Sequence, residues 1–242
     1  MKLALVHARA TTLELVRYPA YVVPTLLFPT AFFLFFVAPS ASRYATVKMA
    51  AFAGFAAIGV AFFQFGVGIA TERASPWETY LRTLPVGVGT RLGARVLAAA
   101  PFAAAAATLV IVVALATTPA ALTPVRWAEL VFVLLAGTIP FALLGIALGY
   151  WAPSRGALPV ANLLYLGLSY AGGLWIRPSE LPHAVRRVSP LLPTRALADA
   201  LAAVVYGNAF ALRPWLALLA FASAFATLAA WGYRRDEGRR FR

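Results

Sequence analysis

Residues 71–86 read TERASPWETYLRTLPV, a polar island between two long apolar runs, and the fold follows from how that island is read. Before it residues 49–70 carry no charge, and after it, beyond Arg91 and Arg95 at the near end of a third span, residues 96–117 carry none, each run long enough to cross the hydrocarbon core of a bilayer. The island itself has the marks of a short helix. Ser75 can accept a backbone hydrogen bond at the first turn, Pro76 has the fixed φ that suits the first helical position, and Glu78 stands three residues after Ser75. Pro85 and Gly87 then stop the helix. Trp77, Tyr80, Leu81 and Leu84 share one side, while Glu78 and Arg82 pair at i,i+4 on another. The island is therefore a rigid, two-faced element at a membrane surface; the plainer reading is an interfacial helix resting on headgroups.

Composition supports the membrane. Of 242 residues, 62% are hydrophobic, and the mean hydropathy is +0.80. The net charge of +13 would suggest nucleic acid in a soluble protein. Here the arginines cluster beside apolar runs, so they are read as cations retained on one side of the membrane, and no nucleic-acid partner is expected. There is no cysteine and there are two histidines, which removes disulfides, thiolate metal sites and histidine-rich metal chemistry.

The chain divides as one transmembrane domain. Residues 1–17 suit a surface-lying helix, although Arg17 must snorkel. A signal peptide is the competing reading, with small residues at Ala38 to Ser42, but the basic region is too long and the apolar stretch is long enough to span. Spans one and two occupy residues 19–70, with Pro24 and Pro29 in the first and Gln64 as the strongly polar group of the second. The short polar helix covers 71–87, and spans three to five lie in 88–176. The fourth of these starts near Trp127 and passes Pro140; Glu129 at its outer edge is expected to meet water. The fifth, Ala157 to Ile176, contains Asn162. Residues 177–213 form an external helical segment whose second helix starts behind Thr194 as N-cap and ends at Gly207 in a left-handed conformation. Arg186, Arg187 and Arg195 in it are read as a solvated helix face. Span six is 214–233, and 234–242 is a basic tail. The fold class is thus all-α, with six transmembrane helices.

Six spans put both ends on one side. Thirteen of the 21 lysines and arginines fall with the termini and the island, eight on the other side. The positive-inside rule then makes the termini and island cytoplasmic, in a multi-pass protein of the plasma (inner) membrane.

No GxxxxGK[ST], HExxH, paired carboxylates or nucleophile elbow is present, so the chain is not expected to be an enzyme. The span interiors also lack Asp, Glu, Lys and Arg. A charge at a helix centre costs about 2.5–3.5 kcal/mol on insertion scales, and ion-driven carriers accept that cost because they need the group. Energy for transport must then come from outside the bilayer.

The chain resembles the type-2 permeases of ABC transporters, the membrane subunits of ATP-driven exporters. The resemblance covers the full length: a surface helix, six spans, TERASPWETYLRTLPV between spans two and three, and LPHAVRRVSPLLPTRALADALAAVVYG before the last span. One departure is Ser75-Pro76 at the head of the island, where the family often has Gly-Thr. The resemblance implies a dimer, with a second copy or a homologous permease, in lipid and contacting a separate ATP-binding subunit. No cofactor is then held by this chain, ATP and Mg being bound by that subunit. It further implies a coupling region of Glu72, Arg73, Ser75, Trp77, Glu78, Leu81 and Pro85. Gln64 and Asn162 are candidates for the translocation path of an amphipathic or hydrophobic cargo, drug-like or lipid-linked; equally, such amides bond neighbouring helices. Two other classes compete. An intramembrane enzyme would need a reactive arrangement inside the spans, and none is found. A non-transporting scaffold or sensor would use the same surface helix without ATP.

Overall fold

The computed structural model describes residues 2–37, 44–75 and 88–240, and among them there is helix and turn but no strand. The order is α1 (Lys2–Val16), α2 (Pro19–Phe36), α3 (Ala45–Ala61), a π-helical turn (Phe62–Val67), α4 (Gly68–Arg73), α5 (Val88–Thr117), α6 (Pro124–Gly137), α7 (Ile139–Trp151), α8 (Ser154–Ala171), α9 (His183–Val188), α10 (Pro193–Tyr206) and α11 (Leu212–Arg240).

The second span is the pillar of the bundle. Ala45–Arg73 is a continuous run of 29 residues, and 83% of its most apolar window is buried, against 17% for the first and last spans. Small residues make this possible, because backbones approach closely only where side chains are short. A Cβ at Gly54 would lie 2.5 Å from Leu201 Cδ1, and one at Gly59 would lie 2.7 Å from the Tyr165 hydroxyl. The helix also runs further than its hydropathy suggests: Thr71, Glu72 and Arg73, expected to open the polar island, form the last turn of α4.

Among the described residues five helices are long and apolar enough to cross a membrane: Pro19–Phe36, Ala45–Arg73, Gly93–Thr117, Pro124–Trp151 and Leu212–Glu237. The remaining expected span, α8, has 18 residues but carries Arg155, Pro159 and Asn162, and it ends at Ala171 instead of Ile176. Gly173, at φ +85°, turns the chain there. The fourth span is broken between α6 and α7. Pro140 has no N–H to offer Ala136, and Thr138 Oγ1 donates to the Leu134 carbonyl at 2.8 Å. The last helix continues through Arg240, so much of the expected tail is helical.

The segment before the last span enters the bundle instead of lying on it. The helical stretch His183–Leu191 and α10 are bent by 83° at Leu192. One face of α10 buries Leu197, Leu201 and Val204. Thr194 is not its N-cap. Pro193 already takes the first helical position, and Thr194 instead donates to the Leu168 carbonyl at 2.6 Å, a contact that leaves no room for a Cβ at Gly172. Gly207 does close the helix at φ +94°. Arg186 and Arg187 are exposed, whereas Arg195 pairs with Asp199 at 2.7 Å. Glu129 is not simply wet: it pairs with Arg126 at 2.8 Å, its side chain 19% exposed.

At the end of the bundle opposite Arg73, Lys48 Nζ donates to the Trp175 carbonyl at 2.5 Å and Arg177 lies 4.4 Å from the centre of the Tyr44 ring. The Arg177 guanidinium, hydrogen-bonded to Glu180, holds that carboxyl below its ordinary range.

The groove that receives the π-helical turn is lined by Gly145 and Gly149 of α7. A Cβ at Gly145 would lie 2.8 Å from the Ala61 carbonyl; one at Gly149 would lie 2.6 Å from Ile69 Cβ and 2.8 Å from the Phe65 carbonyl. Gly149→Ala should therefore destabilise the detergent-solubilised protein by about 1–3 kcal/mol, read as a lowered thermal midpoint. Gly167→Ala, with nothing within 4 Å of the new methyl, should leave that midpoint unchanged.

Candidate functional site

Glu72 and Arg73 are successive residues, so a helix directs their side chains about 100° apart. Each finds a different neighbour. Glu72 forms an ion pair with Arg95 near the start of α5. Arg73 turns the other way, donating through Nε and Nη2 to Asp236 Oδ1 at 3.1 and 2.5 Å, and through Nη1 to the carbonyls of Gly149 and Tyr150 at 2.7 and 3.0 Å. Those carbonyls end α7, where the helix dipole favours a cation. Asp236 is 8% exposed, so the pair is largely out of water.

Aromatic packing reinforces this junction. The Arg73 guanidinium sits 5.6 Å from the Tyr150 ring centre, and Arg235 lies 4.9 Å from that of Trp151. Trp151 packs edge-on against Trp231 at 4.9 Å and donates from its indole nitrogen to the Leu228 carbonyl at 3.2 Å. The end of the second span is thus fastened to α5 on one side and to α7 and α11 on the other. Ser75 follows this junction, its N–H donating to the Glu72 carbonyl at 2.9 Å. Trp77, Glu78, Leu81 and Pro85 lie outside the described residues.

A cavity of about 630 Å³ opens beside Glu72. Its wall comes from the end of α1, from α2, from the second span through Glu72, and from α8. Both amides singled out in the sequence line it: Gln64 from the π-helical turn and Asn162 from α8. The Tyr21 hydroxyl donates to Gln64 Oε1 at 2.9 Å. Apolar surface predominates around them, with Phe28, Phe63 and Tyr165 in the lining. Tyr165 stacks on Phe55 at 4.5 Å and donates to its backbone carbonyl at 3.0 Å, so that ring is held rigidly. The prolines of α2 matter here too: Pro24 and Pro29 cannot donate to the carbonyls of Ala20 and Thr25, and all four residues line the cavity. Among the described residues Glu72 is the acidic member of the lining, in a protein of net charge +13.

Sequence reasoning named Glu72, Arg73, Gln64 and Asn162 but missed Arg95 and Asp236. In the sequence Arg95 only marks the near end of the third span, and Asp236 only falls within the basic tail, residues 234–242. Their partners stand 23 and 163 residues away, beyond the reach of local spacing.

Residues 4–206 match the family model for the ABC-2 type transporter. The chain belongs to that family. It is also similar to YvfS of Bacillus subtilis strain 168, whose name describes a transport permease, at 22% identity over 230 residues covering 93% of this chain and 94% of that protein. No solved structure matches it. Membership of the ABC-2 family identifies the protein as an integral membrane transport subunit, of a kind that works with an ATP-binding subunit and is not itself catalytic.

Removing one member of a buried ion pair leaves the other charge without its partner, at a cost on the order of 3 kcal/mol. Asp236→Ala should accordingly lower the thermal midpoint of the protein in detergent. Exchanging the two residues, Arg73→Asp with Asp236→Arg, should recover only part of the loss, because the Gly149 and Tyr150 carbonyls lose their donor.

Proposed function

We propose that this chain forms the translocation path of an ABC exporter and receives mechanical work from ATP hydrolysis on a separate subunit. The observation that carries the reading is the adjacency of two features. Glu72 belongs both to the wall of the cavity and to the junction from which the polar stretch after Arg73 departs. A displacement applied to that stretch is delivered directly to three helices and to the cavity wall.

In this reading Glu72, Arg73, Ser75, Trp77, Glu78, Leu81 and Pro85 couple to the ATP-binding subunit, which holds ATP and Mg. Gln64 and Asn162 contact cargo. The termini and the polar stretch face the cytoplasm, as the basic residues suggest. Two permeases, copies of this chain or homologues, enclose the path. The cavity lining of aromatic rings, amides and hydroxyls, with no lysine or arginine among the described residues, suits an amphipathic or hydrophobic cargo. A non-transporting scaffold would have no use for such a cavity beside its docking element.

The test is the pair Trp77→Ala and Glu78→Ala in the assembled complex. The doubly substituted protein should insert and fold, while hydrolysis by the partner no longer drives export. Normal hydrolysis together with normal export would remove the coupling role. Orientation is tested separately. The natural chain contains no cysteine, so a single cysteine at His183 should react with an impermeant maleimide from outside intact cells, and one at Ser75 should not.

A further inference from the structure

The π-helical turn takes the Gly68 N–H away from the Gln64 carbonyl. In an α-helix the Gly68 N–H would bond to the carbonyl of residue 64. Here it donates to Phe63 and Phe65 and passes over the Gln64 carbonyl. Arg95 Nη1 donates to that carbonyl at 3.4 Å. The other terminal nitrogen of the same guanidinium, Nη2, pairs with Glu72. Gly68 makes room for the bridge, since a Cβ there would stand 3.2 Å from Arg95 Nη1.

We propose that Arg95 is a positioning residue that holds the second span in its π-helical register and links that register to the junction at Glu72. The inference rests on the exporter reading above. The planar fork of arginine suits the task, because it can meet a carboxylate and a carbonyl at once, whereas a lysine presents a single point of charge. While Arg95 bridges the two, the Gln64 side chain is held toward Tyr21 in the cavity. If Glu72 draws Arg95 away, the Gln64 carbonyl returns to Gly68 N–H and the turn relaxes toward α-helical register. A change of one residue in register rotates a helical side chain by about 100°, which carries Gln64 out of its bond with Tyr21. Wide turns of this kind are frequent at functional sites for the same reason: they hold two registers close in energy. Arg95 thereby converts movement at the polar stretch into a changed cavity wall.

The experiment uses the complete complex with its ATP-binding subunit, in membranes, and a single cysteine at Leu158, which lines the cavity and is half exposed. Maleimide labelling is timed with and without ATP plus vanadate, and the partner's ATP hydrolysis is measured in parallel. With Arg95 intact, ATP plus vanadate should change the labelling rate about fivefold or more, the range of an ordinary coupling between two sites. In Arg95→Gln the nucleotide-dependent change should vanish while hydrolysis and labelling both remain measurable. In Arg95→Lys, which keeps the charge for Glu72 but cannot serve both partners, it should be partly retained. An Arg95→Gln complex that hydrolyses ATP and still shows the full nucleotide-dependent change would overturn the proposal. An intact complex that hydrolyses ATP but shows no change at Leu158 would likewise overturn it, leaving the exporter reading to the export assay. Absence of hydrolysis dependent on this chain would remove the exporter reading and the proposal together.

Discussion

A single guanidinium, that of Arg73, draws together the second span, α7 and α11. Oily helices gain nothing from the hydrophobic effect by packing on one another inside a bilayer, so their association rests on close contact and on the few hydrogen bonds available. Arg73 supplies four such bonds at one point, two to a carboxylate and two to the carbonyls that end α7. Along the rest of its length the second span relies mainly on alanine and glycine, which let its neighbours approach until most of its surface is covered, and on a few further bonds such as those at Lys48, Phe55 and Gln64. The result is a central pillar fixed firmly at one end and packed smoothly along its length.

The cavity follows from the same arrangement. It lies where the pillar departs from regular α-helix, where α2 is interrupted by two prolines, and where α8 contributes an amide instead of another aliphatic side chain. Each of these departures frees or introduces a hydrogen-bonding group in otherwise apolar surroundings. Tyr21 and Gln64 satisfy one another there, and Tyr165 is held by Phe55. Polar groups and aromatic faces thus meet in one apolar stretch of the bundle.

Much of this was legible in the sequence, for reasons that differ between elements. The first, third and last spans were readable because a charge-free run of that length has few other uses. Gln64 and Asn162 stood out because an amide is conspicuous among alanines and leucines, and both line the cavity. Thr194 misled, since a threonine at the head of an apolar periodic stretch usually caps it; here Pro193 had already started the helix and the hydroxyl was taken by α8. The depth to which α10 enters was hidden as well. It depends on Gly54 and Gly137, distant in sequence, which make room for Leu201 and Leu197. The π-helical turn was invisible for the same cause, resting on glycines some eighty residues downstream. Trp77, Glu78, Leu81 and Pro85 lie outside the described residues, so the shape inferred for them stands on sequence alone.

The brevity of α8 has a consequence for the lipid around it. At a rise of about 1.5 Å per residue its 18 residues reach roughly 27 Å, whereas the 29 residues of the second span reach roughly 43 Å. The second span is largely covered by its neighbours, so its length makes no demand on the bilayer, whereas α8 falls a few ångströms short of a hydrocarbon core of about 30 Å. Slight local thinning, or the bent pair of helices behind it, absorbs a difference of that size, and the acyl chains bordering that flank are the less extended for it.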